Sequence, residues 1–200
     1  MTLQLIGKLF KASRVHLAEL AGEWRLPPVP PQRKPGSREA KTHLRISTKD
    51  LALTIIFAGL YAALVVVFSP ISFGVAQFRI AGALRPSIAK KWIIAFAYGL
   101  GVFIGNFISP FAGPWDLVFM PIMSIIAGLA GFLAAKRFKQ DYFVSGAVTA
   151  TIIAFSLSFM FEQLGIYPFL IALPMLLVTE LAACLIGAVV FTLIDKRFKW

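Results

Sequence analysis

The sequence predicts an all-α, polytopic integral membrane protein: six transmembrane helices, the second of them short, preceded by an N-terminal amphipathic helix. Three observations carry this expectation. Of the 200 residues 58% are hydrophobic and only 14% are charged, with a mean hydropathy of +0.80, whereas a soluble domain carries about a quarter charged residues. Apolar runs of spanning length recur from residue 50 onward, and about 20 such residues cross the ~30 Å hydrocarbon layer. The net charge of +11 is unevenly placed, with ten of the 20 basic residues before residue 50 and the rest in short clusters at the ends of apolar runs. That is the distribution of cytoplasmic loops facing a membrane, not of a nucleic-acid groove. Lipid is therefore an expected partner and nucleic acid is not.

Residues 1–26 read as an amphipathic helix, because Leu3, Ile6, Phe10, Leu17, Leu20 and Trp24 recur at helical steps while Lys8, Lys11 and Arg14 lie off that seam. Such a helix suits an anionic membrane surface, a partner protein, or the protein's own cytosolic face. It lacks the continuous apolar core and small-residue cleavage site of a signal peptide. Residues 27–48 hold the stiff, basic linker "PPVPPQRKPGS". The membrane domain, 49–200, contains long apolar runs at about 50–69, 92–110, 115–135, 143–162 and 168–195.

Five spans would leave Lys90–Lys91, "KRFK" (136–139) and "DKRFKW" (195–200) on the side opposite the basic N-terminus. A sixth crossing at 79–91 puts Lys90–Lys91, both clusters and the N-terminus on the cytoplasmic side. Thirteen helical residues cover only about 20 Å. So short an element, carrying Arg79, Arg85, Lys90 and Lys91 at its length and ends, has to be buried among other helices or line a cavity. Interrupted membrane helices of this kind are common at transporter substrate sites.

Several chemistries are excluded. One cysteine, Cys184, rules out a disulfide framework or a cysteine metal cluster, and both histidines, His16 and His43, precede the membrane domain. No metal or other cofactor is expected. There is no phosphate-cradling GxxxxGK[ST], no HExxH and no GxSxG, so an enzyme is not expected. Energy for transport would come from a partner or a gradient.

The stretch "SPISFGVAQFRIAGALR" (69–85) resembles the segment that follows the first span in the QueT family of queuosine-precursor transporters. "GVFIGNFISPFAGPWDLVF" (101–119) is similar to that family's third span and the Asp opening its fourth, and "TELAACLIG" (179–187) to its last span. The likeness extends over about residues 50–198. It implies the substrate-binding S-component of an energy-coupling factor (ECF) transporter in the cell membrane. Such a component has six helices and both termini in the cytoplasm, with a coupling subunit and an ATPase pair as partners. It also implies that the first loop caps a small-molecule substrate and that small residues of the first helix meet the coupling subunit. Ala58 and Ala62, four apart, with Gly59 and Ala63 beside them, have the spacing for close helix approach, either to that subunit or within the chain. Gly82 stands where the family carries glutamate. This leaves room for a different vitamin-like ligand. A non-transporting structural subunit, docked through the basic N-terminal arm, is the reading from another class.

The candidate substrate-binding residues are Phe73, Gln77, Phe78, Arg79, Asn106, Trp115, Asp116 and Glu180. Gln77 and Arg79 suit the polar edge of a planar heterocycle, against the alternative that Arg79 snorkels to headgroups. Asn106 reads donor and acceptor positions, or makes an interhelical bond. Asp116 is either a ligand acid or a helix-start acid, and Trp115 either a stacking platform or an interfacial anchor. Phe73 and Phe78 are candidate stackers. Glu180, mid-span, needs a ligand N–H edge or an arginine such as Arg85.

Overall fold

The computed structural model describes residues 47–73 and 77–198. The amphipathic helix 1–26, nearly all of the linker 27–48 and positions 74–76 of the first loop lie outside the described residues. Among the described residues the regular secondary structure is all helical, with no strand. α1 is Thr48–Val67, α2 Ile94–Gly105, α3 Met120–Arg137, α4 Tyr142–Gln163 and α5 Phe169–Arg197. A single turn, Ser69–Ser72, follows α1, and a 3-10 helix, Ile80–Ala89, precedes α2. One π turn, Trp115–Phe119, runs directly into α3. Four helices have the length and apolarity to cross a membrane: Thr48–Val67, Trp115–Arg137, Tyr142–Gln163 and Phe169–Arg197. Ile94–Ile108 is a shorter apolar helix. With Ile80–Ala89 these make six helical passages, within a few residues of the expected boundaries.

α1 starts at a capping box, in which Ser47 Oγ accepts from Asp50 N–H and the Asp50 carboxylate accepts from Ser47 N–H at 3.2 Å. Asp141 caps α4 by accepting from the N–H groups of Phe143 and Val144. Outward-facing positions are apolar, among them Ile55, Val67, Leu170, Val178 and Leu193, as a hydrocarbon solvent requires.

Ile80–Ala89 is the centre of the bundle. Ten 3-10 residues rise only about 20 Å, and the helix packs against all five of the others. Arg85, Pro86, Ser87, Ile88 and Ala89 are buried on it. Pro86, inside the helix, contributes no N–H to its ladder. Gly187 of α5 lets the short helix approach, since a methyl there would fall on the Ala83 carbonyl. On α2, a Cβ at Gly101 would meet Tyr61 Cβ at 2.9 Å and the Ala58 carbonyl at 3.0 Å, so α1 and α2 also meet backbone to backbone.

The charged ends converge. Lys91 Nζ lies 2.8 Å from Asp50 Oδ1 at the start of α1, and Lys90 Nζ lies 2.7 Å from Asp195 Oδ2 near the end of α5. Lys90 also sits over the Tyr142 ring at the start of α4. The basic clusters at 90–91, 136–139 and 196–197 therefore share one end of the bundle, as the six-passage reading expects.

The direction of the α1 faces bears on the two readings of its small residues, contact with a partner subunit or packing within the chain. Ala58 and Ala62 are buried within the chain, at 2% and 6% exposure, so they are not an outward contact surface. The exposed small pair is Gly59 and Ala63, one step round the helix. Ala62→Leu overfills the interior and is expected to lower apo stability by about 1–3 kcal/mol, whereas Gly59→Leu should stay within about 0.5 kcal/mol of the parent. Thermal unfolding of the two purified variants checks this, and equal losses would overturn the assignment of faces.

Candidate functional site

Away from the basic end, the loops bring polar side chains into an apolar interior. Asn106 closes α2, with a 3-10 turn Asn106–Ile108 following it. Asp116 lies in the π turn, which adds a residue to the helical repeat and turns the carboxylate inward. Both residues are fully buried. Asn106 Nδ2 donates to Asp116 Oδ1 at 2.6 Å and to the Asp116 carbonyl at 3.0 Å. Asp116 thus stands in the first helical turn, where a helix-start acid belongs, and is fully buried there. Asn106 Oδ1 and Asp116 Oδ2 are left without hydrogen-bond partners among the described residues.

Gln77 and Arg79 come from the first loop, each 1% exposed. Gln77 has φ 44°, a left-handed conformation that costs a residue other than glycine about 1 kcal/mol or more. Neither its Nε2 nor its Oε1 has a partner, and none of the three Arg79 guanidinium nitrogens has a hydrogen-bond acceptor, among the described residues. The Arg79 guanidinium lies over the Phe73 ring, 5.6 Å from its centroid, and its charge acts on Asp116. Ser72, on the turn after α1, adds a buried hydroxyl without a partner.

Unpaired buried polar atoms are uncommon, because each costs about 1–3 kcal/mol. Here four side chains carry seven such atoms: the Arg79 Nε, Nη1 and Nη2 and Gln77 Nε2 donors, and the Gln77 Oε1, Asn106 Oδ1 and Asp116 Oδ2 acceptors. Donors from the first loop and acceptors from the α2–α3 connection are what a ligand with a carbonyl edge and an N–H edge would satisfy.

The remaining candidates sort differently. Trp115 is half-buried and packs edge-on against Phe119 and Phe159, with centroids 5.3 and 5.8 Å away. Phe78 is half-buried in the first loop. Glu180 is 1% exposed and forms an ion pair with Arg85 of the short helix. Arg85 Nη2 also donates to the Tyr61 hydroxyl at 3.0 Å. Ser87 and Tyr98 hydroxyls lie 2.8 Å apart, and Tyr98 donates to the Leu84 carbonyl. The structure thus supplies the arginine partner that mid-span Glu180 requires, and Glu180 Oε1 has no hydrogen-bond partner among the described residues. Tyr61, Tyr98, Ser72 and Ser87 were not singled out from the sequence. The available signal was a lone hydroxyl inside an apolar run.

Breaking a buried ion pair leaves an uncompensated charge, at about 3–5 kcal/mol. Glu180→Gln is therefore expected to lower apo stability by roughly that amount, and the double variant Glu180→Gln/Arg85→Met should recover much of it. Thermal unfolding without ligand is the measurement. A Glu180→Gln single variant as stable as the parent would remove the pair from its structural role.

Residues 51–196 match the family described as QueT transporter. The queuosine precursor transporter QueT of Lactococcus lactis subsp. cremoris (strain MG1363) is 30% identical over 164 residues, covering 75% of this chain and 94% of the relative. No solved structure matches the chain. A match of this extent, over the same helices that carry the buried polar cluster, means that this multi-pass membrane chain belongs to the QueT transporter family, a family of transporters and not of enzymes.

Proposed function

We propose that the chain is the substrate-binding membrane subunit for uptake of a queuosine precursor of the deazaguanine type. The observation that carries this reading is the buried set Gln77, Arg79, Asn106 and Asp116, seven of whose polar atoms lack hydrogen-bond partners among the described residues. A guanine-like ring offers adjacent ring N–H and amino N–H donors on one edge and a carbonyl next to them. Asp116 Oδ2 and Asn106 Oδ1 suit the donors, and Arg79 and Gln77 Nε2 suit the carbonyl. Phe73, which already faces the Arg79 guanidinium, and Phe78 flank the ring. Charge supports a neutral ligand, since the bundle buries two arginines, Arg79 and Arg85, and two acidic side chains, Asp116 and Glu180. The name of the Lactococcus relative agrees with this substrate class.

The basic end of the bundle is cytoplasmic under this reading, by the positive-inside rule, and the polar cluster opens outward beneath the first loop. The chain lacks a phosphate-binding loop, so we assign the driving energy to an ECF coupling subunit with its ATPase pair. Its contact surface is the exposed Gly59–Ala63 face of α1. Gly82 favours keeping a second ligand class in view. A Cβ there would lie 3.5 Å from Glu180 Oε2, so the family's glutamate would add a carboxylate beside the Arg85 pair that this chain does without. A B-vitamin-like ligand is the alternative.

Arg79→Met tests the site. It removes a charge-assisted hydrogen bond worth about 1.5–3 kcal/mol, roughly 10- to 150-fold in affinity for a deazaguanine. Apo stability should fall less than in Glu180→Gln, because Arg79 donates no hydrogen bond among the described residues. Direct binding measurements on both proteins, with a panel of deazaguanines and B vitamins, decide it. Undiminished deazaguanine affinity in Arg79→Met would refute the site, and vitamin binding alone would refute the ligand class.

Orientation and partner are tested together in cells. A cysteine introduced at position 112 should react with an impermeant reagent from outside and one at 139 should not. Gly59→Leu should lower transport without changing ligand affinity. Outside labelling at 139 overturns the orientation, and unchanged transport removes the contact face.

A further inference from the structure

Two adjoining hollows lie on the seam between α4 and α5. One is an apolar groove of about 310 Å³ lined by Phe143, Ala147, Leu181, Cys184, Leu185 and Ala188. The other, of about 270 Å³, opens at the basic end between Lys139, Lys196 and Thr192. Phe143 lines both.

The charges at the second hollow are not balanced by its own carboxylates. Asp195 is engaged by Lys90 at 2.7 Å. Asp141 accepts from the Phe143 and Val144 N–H groups at 2.7 and 3.0 Å. Lys139 and Lys196 are exposed, and neither has a carboxylate partner among the described residues. Lys139 and Gln140 both take left-handed φ values, 55° and 61°. They end α3 abruptly and keep Lys139 at the mouth of the hollow.

Depth connects the two hollows. Along α5, Ala188 lies about 12 Å and Leu181 about 22 Å below Lys196 at the rise of an α-helix. One leaflet's hydrocarbon is about 15 Å thick. The groove thus occupies the level of an acyl chain whose headgroup stands at Lys139 and Lys196.

We propose that this seam binds an anionic phospholipid of the basic-end leaflet. The phosphate is held by Lys139 and Lys196, and one acyl chain lies in the groove beside Leu185 and Ala188. A free phosphate satisfies only the hollow, and a neutral lipid satisfies only the groove. The anionic lipid satisfies both.

The test is native mass spectrometry of the full chain in detergent, with dioleoyl phosphatidylglycerol or dioleoyl phosphatidylcholine added. Each lysine near an anionic headgroup contributes about fivefold, so phosphatidylglycerol should be retained about thirtyfold over phosphatidylcholine. Lys139→Gln and Lys196→Gln should each remove about fivefold of that preference, and the double variant nearly all of it. These side chains are exposed, so thermal unfolding should match the parent. Ala147→Phe fills the groove and should lower retention of both lipids. Equal retention of the two lipids by the parent would overturn the proposal, as would an unchanged preference in the double variant. Complete displacement of phosphatidylglycerol by glycerol phosphate would mean the hollow takes a free phosphate alone. A change of oligomeric state in Ala147→Phe without lipid loss would mean the groove holds a second copy of the chain. Either result also overturns it.

Discussion

A charged helix of ten residues can neither reach across a bilayer nor face its hydrocarbon. In this protein Ile80–Ala89 is that helix, and the five longer helices are arranged around it. Its buried guanidinium, Arg85, is held by Glu180 from α5 and Tyr61 from α1. The first and last helices of the described bundle are thereby tied to one side chain. The small residues follow from the same constraint. Gly187 and Gly101 remove bulk where backbones have to approach, because in lipid the helices gain little from hiding apolar surface and depend on close contact and polar pairing.

The polar cluster near the other end differs in kind. Around Arg85 most donors and acceptors are matched. Around Arg79 seven polar atoms have no partner among the described residues, although Gln77, Arg79, Asn106 and Asp116 are just as buried. A fold that left these groups dry and unpaired for no return would be less stable by several kcal/mol. One satisfied network and one cluster with unpaired atoms thus meet the same short segment, and the contrast is the basis for proposing the second as the site.

Much of this was legible in the sequence. Long apolar runs fixed the spans to within a few residues, and the sidedness of the basic clusters required an extra crossing at 79–91. The facing of α1 was not legible. Its residues are apolar on all sides, so no periodic contrast distinguishes buried Ala58 and Ala62 from exposed Gly59 and Ala63. Asp116 reads as a helix-start acid after Pro114, and only the π turn turns it inward. For Glu180 the sequence required a partner but could not choose between ligand and arginine, since that depends on how the short helix is seated against α5.

The 3-10 winding of Ile80–Ala89 has a consequence for that seating. A 3-10 helix repeats every three residues, so side chains three apart stand in line. Gly82, Arg85 and Ile88 form such a line, with Arg79 at its head. Glu180 Oε2 is close to both the Arg85 guanidinium and the position a Cβ on Gly82 would take. Sliding the helix by one turn, about 6 Å, would carry Gly82 or Ile88 to the carboxylate and strand both charges in hydrocarbon. The sequence of the line, glycine then arginine then isoleucine, therefore acts as a ruler with one permitted mark. It fixes the register of the segment and, through it, the depth at which Arg79 is presented.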